Sequence, residues 1–361
     1  MKIAYVCSSL SLGGLELNHL RNAHWMRERG HEVAIFSPKD SPLFNQAKSE
    51  GMACFPIPHQ RKYYAWGAAL SLFRTIRKNK FTHLFIRDNR DMSMCATVKY
   101  LSGKQLSLAY FMEMQLGVKK KGVLHTLRYR YLNYWFCPLP YLKQQVLEWT
   151  NINPEKVHLV PSGINRANIK SMPREEARIQ MALPQIEFTF GLVGRFDRQK
   201  GQLLVLEAME LCKNRAFNLV FLGEPTRNED NGIAQAMEEF IAVNNLEKRV
   251  FIRPFMPELS PFYYSIDALI MATKAETFGM VTLEAIAYGV PVVGSRAGGT
   301  PDLLQYGTFG YSFEPLNASS LAQAMDKMMD LPLILNSETW DEHIARFDHQ
   351  TVCKSIEQVV T

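Results

Sequence analysis

Four charged residues stand where their types and spacing could do chemistry. Glu276 and Glu284 lie eight positions apart in AETFGMVTLEAIAYGVPVV, residues 275–293, with Phe278-Gly279 between them. Arg195 and Lys200 lie five apart in GRFDRQKG, residues 194–201. A carboxylate can accept two hydrogen bonds from a vicinal diol such as a ribose. A guanidinium fork beside an ammonium suits a diphosphate, and cations are needed there because charge builds on a leaving phosphate as its bond breaks. Each pair taken alone also fits a bland reading. Acids near a helix start are favoured by the helix dipole, and a basic turn after a strand can simply face water.

These residues depend on the elements that carry them. Apolar runs of strand length alternate with longer helical segments, the pattern of parallel α/β layers. KIAYVCS, EVAIFS, THLFIRD and QLSLAYF read as strands of a first series, and LELNHLRNAHWMRERG as a helix closed by Gly30. A second series begins near residue 187 with EFTFGLVGR, FNLVFLG, RVFIRPF, ALIMAT and PVVGS. VHLVPSGIN, residues 157–165, falls between them and is read as a hinge. The spacing predicts a loop from ALIMAT through Glu276 to Gly279, where the backbone can approach a ligand closely, then a helix over 280–288. Glu284 sits about one turn into that helix, whose first N–H groups favour an anion. Two other loops follow strands, Gly223-Glu224-Pro225 and Ala297-Gly298-Gly299-Thr300-Pro301-Asp302. Gly13-Gly14-Leu15-Glu16 opens a helix after the first strand, either as a phosphate-receiving turn or as a tight turn with an acidic first helical residue.

Composition limits the function classes. A chain of 361 residues suggests two domains at roughly 150 residues each. Six scattered cysteines without a C-x-x-C pair argue against a disulfide framework or a zinc site. The apolar run at the start is too short for a secretory signal, and no run is long enough to span a bilayer, so the expected address is the cytoplasm. Residues 1–160 hold 23 Lys and Arg against 10 Asp and Glu, whereas residues 161–361 hold 18 against 25. The basic first half favours an anionic lipid or polyanionic glycan. No recognition-helix or stacking motif supports nucleic acid.

Taken in order, these motifs resemble the retaining glycosyltransferases of family 4. The carriers are Gly13-Gly14-Leu15-Glu16, V-P-S-G-I-N, V-G-Arg195-x4-Lys200-Gly201, Glu276-x7-Glu284 with Phe278-Gly279, G-V-P-V-V and G-G-T-P-D. The resemblance implies an α/β chain of GT-B fold, with two Rossmann-like doubly wound domains facing across a cleft. The expected bounds are 1–160 for an acceptor and membrane-side domain and 161–337 for a nucleotide-sugar domain. Residues 338–361 are expected to form a helix returning to the first domain. Closure about the hinge would exclude water.

The resemblance also implies roles. Arg195 and Lys200 would grip the diphosphate and Glu284 the ribose. Glu276 and the backbone at Phe278–Met280 would meet the sugar hydroxyls, with Arg195, Lys200 and Glu276 as the catalytic set. Gly13, Gly14, Gly194, Gly223, Thr277, Gly279 and Val281 complete the donor site, Gly14 from the opposite wall. Arg87, Glu113 and Gln115 are the acceptor-side candidates. Ser162 and Asn165 replace the family's usual Asn and Asp, and LAYFMEMQLG lacks a histidine met there in many members. No metal or other cofactor is expected, since no D-x-D follows a strand.

The segment 119–136, KKKGVLHTLRYRYLNYWF, is read as an amphipathic helix with a stripe of Leu124, Leu127, Tyr131 and Trp135 between basic flanks. It either packs into the first domain or docks on an anionic membrane at the inner face of the plasma membrane. The whole then reads as a metal-independent transferase moving a hexose from a UDP- or GDP-linked donor to a saccharide, with a lipid-linked glycan for lipopolysaccharide or capsule favoured. Two rivals stay open. A nicotinamide-dependent oxidoreductase is disfavoured by the absence of G-x-G-x-x-G. A non-catalytic GT-B binding or scaffold protein is disfavoured by the intact Arg195, Lys200, Glu276 and Glu284.

Overall fold

The computed structural model describes residues 1–59, 66–214, 216–225, 232–333 and 337–361. The chain divides into two compact units, residues 1–163 with 347–361, and residues 164–346.

The first unit runs β1 (Lys2–Val6), α1 (Gly14–Glu28), β2 (Glu32–Ser37), α2 (Pro42–Ser49), β3 (Ala53–Pro56), α3 (Trp66–Lys78), β4 (His83–Ile86) and α4 (Met92–Ser102). It continues with β5 (Ser107–Phe111), α5 (Val123–Arg130), β6 (Tyr134–Cys137), α6 (Pro140–Trp149) and β7 (Val157–Leu159). The second runs α7 (Arg174–Gln180), β8 (Phe188–Val193), α8 (Gln202–Leu211), β9 (Phe217–Leu222), α9 (Ile233–Val243), β10 (Val250–Arg253), α10 (Ser260–Ser265) and β11 (Ala268–Met271). After these come α11 (Met280–Ala287), β12 (Val292–Ser295), α12 (Thr300–Leu303), β13 (Gly310–Phe313), α13 (Ala318–Asp330) and α14 (Ser337–Ala345). The last helix, α15 (His349–Val360), belongs to the first unit.

The first sheet has the order β3-β2-β1-β4-β5-β6-β7 and the second β10-β9-β8-β11-β12-β13, with every pair parallel. Strands buried on both faces read as unbroken apolar runs, as in β11, whose four residues ALIM are all buried. In each sheet the winding reverses once, between β1 and β4 and between β8 and β11. A doubly wound sheet binds its ligand beyond the carboxyl ends of the strands at that reversal. The loops after β1 and β4, and after β8 and β11, are therefore the places to look.

The buried Arg178 belongs to the opposite, amino edge of the second sheet. Its guanidinium donates to the carbonyls of Ser265, Pro184 and Glu187 and to Asp267 at 2.9–3.0 Å. A buried cation so fully bonded is structural cement, unlike the exposed Arg195.

Two expectations change. The helix in 119–136 stops at Arg130, and Trp135 lies in β6 with 1% exposure, so the four-residue stripe is not one helical face. The aromatic run Tyr134-Trp135-Phe136 packs better as a buried strand than as a half-wet helix. Residues 338–361 form two helices, because Asp348 caps a new one by accepting the Gln350 N–H at 2.9 Å. Of the two, α15 packs on α1. Its Glu357 is paired with Arg29 at 2.5 Å and His31 at 2.8 Å, which holds its carboxyl down at about 2. The division between units falls after Gly163, inside the segment read as a hinge, whose first residues form strand β7.

Candidate functional site

In the second unit the reversal brings the predicted residues together. Beyond β8, Gly194 leads to the exposed Arg195, and a single helical turn ends at Lys200. Beyond β11, the loop through Thr273 presents Glu276 to the same spot. Lys200 Nζ and Glu276 Oε1 are 2.7 Å apart, and the Thr273 hydroxyl donates to the same oxygen at 3.3 Å. Both side chains of the ion pair are about a quarter exposed, at 30% and 21%. The pair is thus held at the surface of the sheet's carboxyl edge, within reach of a ligand.

Glu284 is held by a different device. The buried Tyr263 hydroxyl donates to Glu284 Oε2 at 3.1 Å, and the Tyr263 ring stacks on Tyr288 at 4.7 Å. Tyr288 is anchored in turn to Ser260 Oγ at 2.9 Å. Burial, and then the neighbouring Glu284 charge, push the Tyr263 hydroxyl well above the usual range, so it stays a donor. Along α11, Met280, Val281 and Glu284 are the half-buried positions, while Thr282, Leu283, Ala285, Ile286 and Ala287 are buried. That exposed strip continues from the half-buried Thr277 and the N-capping Gly279, whereas the Phe278 side chain is core and leaves only backbone for a ligand.

The GGTPD loop, to which the spacing assigned no role, supports Glu276. Gly298 forms a parallel bridge with Glu276, and the Gly299 N–H donates to the Glu276 carbonyl at 2.9 Å. Gly223 likewise has a local cause. A Cβ there would lie 2.0 Å from the Gly194 carbonyl oxygen, so these two glycines pack backbone on backbone.

In the first unit, Gly13 caps α1 and its N–H is taken by Glu16 Oε2 at 2.8 Å, with Gly14 the first helical residue. This realises the tight turn with an acidic helix start. Beyond β4 and β5, Arg87 and Glu113 form a close ion pair, and Asn18 Nδ2 reaches Glu113 at 3.4 Å. Burial pushes the Glu113 carboxyl up, opposed by Arg87. Gln115, two residues on, donates to the Tyr141 hydroxyl at 3.2 Å. Sequence reading missed α1 as a polar wall: Asn18, His19 and Asn22 are all buried, and Tyr5 donates to Asn22 at 2.8 Å. Burial, and then Arg87, keep His19 neutral.

Asp91, after β4, is fully buried and accepts the Ser8 N–H at 3.0 Å. Burial pushes its carboxyl from 3.8 up to about 7, although the bonds from Ser8 oppose the rise. Between those values the folded chain holds a proton that the unfolded chain lacks, so stability falls as pH rises through the window. The expected slope from this group is about 1.4 kcal/mol per pH unit. Asp91→Asn keeps the acceptor and removes the titration. Its melting temperature relative to the parent should therefore rise between about pH 5 and about pH 8. A constant difference across that range would show that Asp91 is ionised throughout.

Residues 187–330 match the model of glycosyl transferases group 1, and residues 12–168 that of glycosyltransferase family 4. A D-inositol 3-phosphate glycosyltransferase of Catenulispora acidiphila is 27% identical over 192 residues, 51% of this chain and 46% of that one. The chain spans about half the length of the curated relatives it matches. The crystal structure of Anabaena Alr3699/HepE with UDP and glucose superposes with a TM-score of 0.84 at 18% identity, covering 100% of this chain and 99% of that one. The lipopolysaccharide outer core galactosyltransferase WaaB superposes at 0.76 and 15% identity, covering 100% and 99%. At such identity the two structures speak for the fold. With both units matched by their respective models, the chain belongs to the family-4 glycosyltransferases and has the GT-B fold.

Proposed function

We propose that the chain transfers a hexose from a nucleotide sugar to a saccharide acceptor, with retention at the anomeric carbon and without a metal ion. The observation that carries this is the convergence of Arg195, the Lys200–Glu276 pair and the Tyr263-held Glu284 at one sheet reversal. The donor diphosphate takes the Lys200 ammonium and the Arg195 fork, which together neutralise its charge. Glu276, exchanged out of its ion pair, accepts from sugar hydroxyls, and Glu284 accepts from the ribose. As the bond from the anomeric carbon to the diphosphate breaks, the acceptor oxygen bonds to the same face of that carbon. The acceptor's proton passes to the departing phosphate oxygen. Neither glutamate serves as a glycosidase-type acid or nucleophile.

Among donors, UDP-linked sugars are favoured, since Anabaena HepE is described with UDP and UDP-glucose. The acceptor is proposed to be a lipid-linked glycan held by the first unit near Arg87 and Glu113, on the cytoplasmic face of a membrane. This is in keeping with the structurally similar WaaB, a lipopolysaccharide outer core galactosyltransferase, and WaaG, a glycosyltransferase involved in lipopolysaccharide biosynthesis. No helix among the described residues is long and apolar enough to cross a membrane.

The test is thermal shift with UDP, GDP, ADP and NAD in the presence of EDTA. UDP at about a hundredfold excess over its dissociation constant should add about 2.7 kcal/mol of stability, and Glu284→Gln should lose most of that gain. Stabilisation by NAD alone, or by none of them, would overturn the donor assignment.

A further inference from the structure

Helix α14 packs on α11, the helix that carries Glu284. The Trp340 indole N–H donates to the main-chain carbonyl of Ile286, 54 residues earlier, in the last turn of α11. A helix leaves its last four carbonyls without intrahelical partners. In α11 these begin with that of Glu284 itself. The Glu284 carbonyl accepts the Tyr288 N–H at 3.0 Å, that of Ala285 accepts Val290 at 2.9 Å and that of Ile286 accepts Gly289 at 2.9 Å. These bonds come from residues that directly follow the helix and move with it. The bond from Trp340 comes from elsewhere in the unit and fixes the turn against it.

Trp340 is itself braced. The Arg166 guanidinium lies over its ring, 5.4 Å from the centroid, and pairs with the adjacent Asp341 at 2.5 Å. One turn on, the buried His343 stacks on Phe309 at 4.3 Å and meets the Gln305 amide at 2.6 Å. Burial, and then Arg346, hold the His343 imidazole down at about 4, so this anchor is neutral near pH 7. Arg166 stands near the start of the second unit and α14 near its end, so both ends of that unit's chain meet at the end of α11.

The side chain chosen is informative. Tryptophan joins a large apolar body to a single donor with no acceptor. Phenylalanine would fill the same space without capping anything. Water can serve an open helix end as a cap, and Trp340 is only half-buried. What a braced indole adds over water is position. Glu284 is thereby fixed at two points, its carboxylate by Tyr263 from α10 at 3.1 Å and its helix turn by Trp340 from α14. A carboxylate that accepts from two hydroxyls of a diol tolerates little displacement, because hydrogen bonds weaken steeply as they bend. We propose that Trp340 is a positioning residue for the donor, acting through the last turn of α11 to set the Glu284 carboxylate at the ribose diol. The inference rests on the ribose role given to Glu284 above.

UDP titration of the parent, Trp340→Phe, Glu284→Gln and the double variant tests it. Trp340→Phe keeps a ring for Arg166 and loses the N–H. It should weaken UDP about fivefold, the size of one lost hydrogen bond. On a Glu284→Gln background the same change should cost less than about twofold, because residues that act through one contact are not additive. The dideoxyribose analogue of UDP, which lacks the diol, should bind Trp340→Phe as it binds the parent. In turnover the loss should appear in KM for the donor rather than in kcat. Arg166→Ala, at a half-buried surface position, removes the brace and should act in the same direction by about threefold, again only where Glu284 is intact. Circular dichroism melts check folding, and Arg166→Ala carries the test if Trp340→Phe does not fold. Equal losses on both Glu284 backgrounds, or no loss on the parent background, would overturn the proposal and leave the ribose assignment standing. UDP binding unchanged by Glu284→Gln would overturn the ribose assignment and this proposal with it.

Discussion

Lys200→Ala and Arg195→Ala should each lower turnover about a hundredfold, the cost of losing one preorganised charge-stabilising group, with the protein still folded. Neither side chain is core: Arg195 is exposed and Lys200 is 30% exposed. The two losses should nevertheless differ in kind. Removing Lys200 also strips Glu276 of its cation, while the Thr273 hydroxyl still donates to it at 3.3 Å. The released carboxylate then faces the donor's phosphates, so Lys200→Ala should weaken nucleoside diphosphate binding as well as turnover. Arg195→Ala leaves that ion pair in place and should act chiefly on turnover. Arg195→Lys should restore part of the rate, because it keeps the charge and loses the bidentate fork. Steady-state kinetics and UDP titration of the three variants separate these cases. Near-normal turnover in both alanine variants would remove the phosphate assignment.

What the sequence disclosed follows a physical line. Residues placed by one strand end and the turn after it were legible, because strand, turn and helix start are local: Arg195, Lys200, Glu276 and the α11 helix all belong to this class. Partnerships between strand ends were not. Tyr263 lies in SPFYYS, on the far side of β11 from the Glu284 it holds, and no spacing announces that contact. The Arg178 anchor is illegible for the same reason, since its partners are main-chain carbonyls and Asp267, distant in the chain. The reading of 119–136 failed differently. Leucines and aromatics at helical intervals ran across a helix end into β6, and only the pairing of Trp135 with Tyr110 and Val157 reveals the strand. Strands β3, β6, β7 and β13 have only three or four residues each, too few for a period to show.

The loop that carries Glu276 allows a test that alters no charged side chain. Gly298 has φ +63°, and a Cβ built there would stand 2.0 Å from the Glu276 carbonyl oxygen and 2.9 Å from its nitrogen. Both obstacles are backbone, so neither can swing aside as a side chain does. Gly298→Ala must either open the bridge between the two loops or shift the Glu276 loop bodily. A misplacement of about 1 Å at a positioning residue can cost a hundredfold in rate, and a loss of that size is expected here. Glu284 depends instead on α11 and Tyr263, which the substitution does not touch, so UDP binding should stay within a few-fold of the parent. Gly289→Ala is the control. Its φ of +76° imposes similar backbone strain, about 1–2 kcal/mol, yet no heavy atom lies within 4 Å of the added carbon. It should lower the melting temperature and spare the rate. If the two variants lose rate alike, strain alone explains the effect and the Gly298 loop does not position Glu276. If Gly298→Ala loses rate while UDP stabilisation persists and Gly289→Ala keeps both, the sugar end of the site is set by main-chain packing between two loops, and Glu276 works because Gly298 leaves it room.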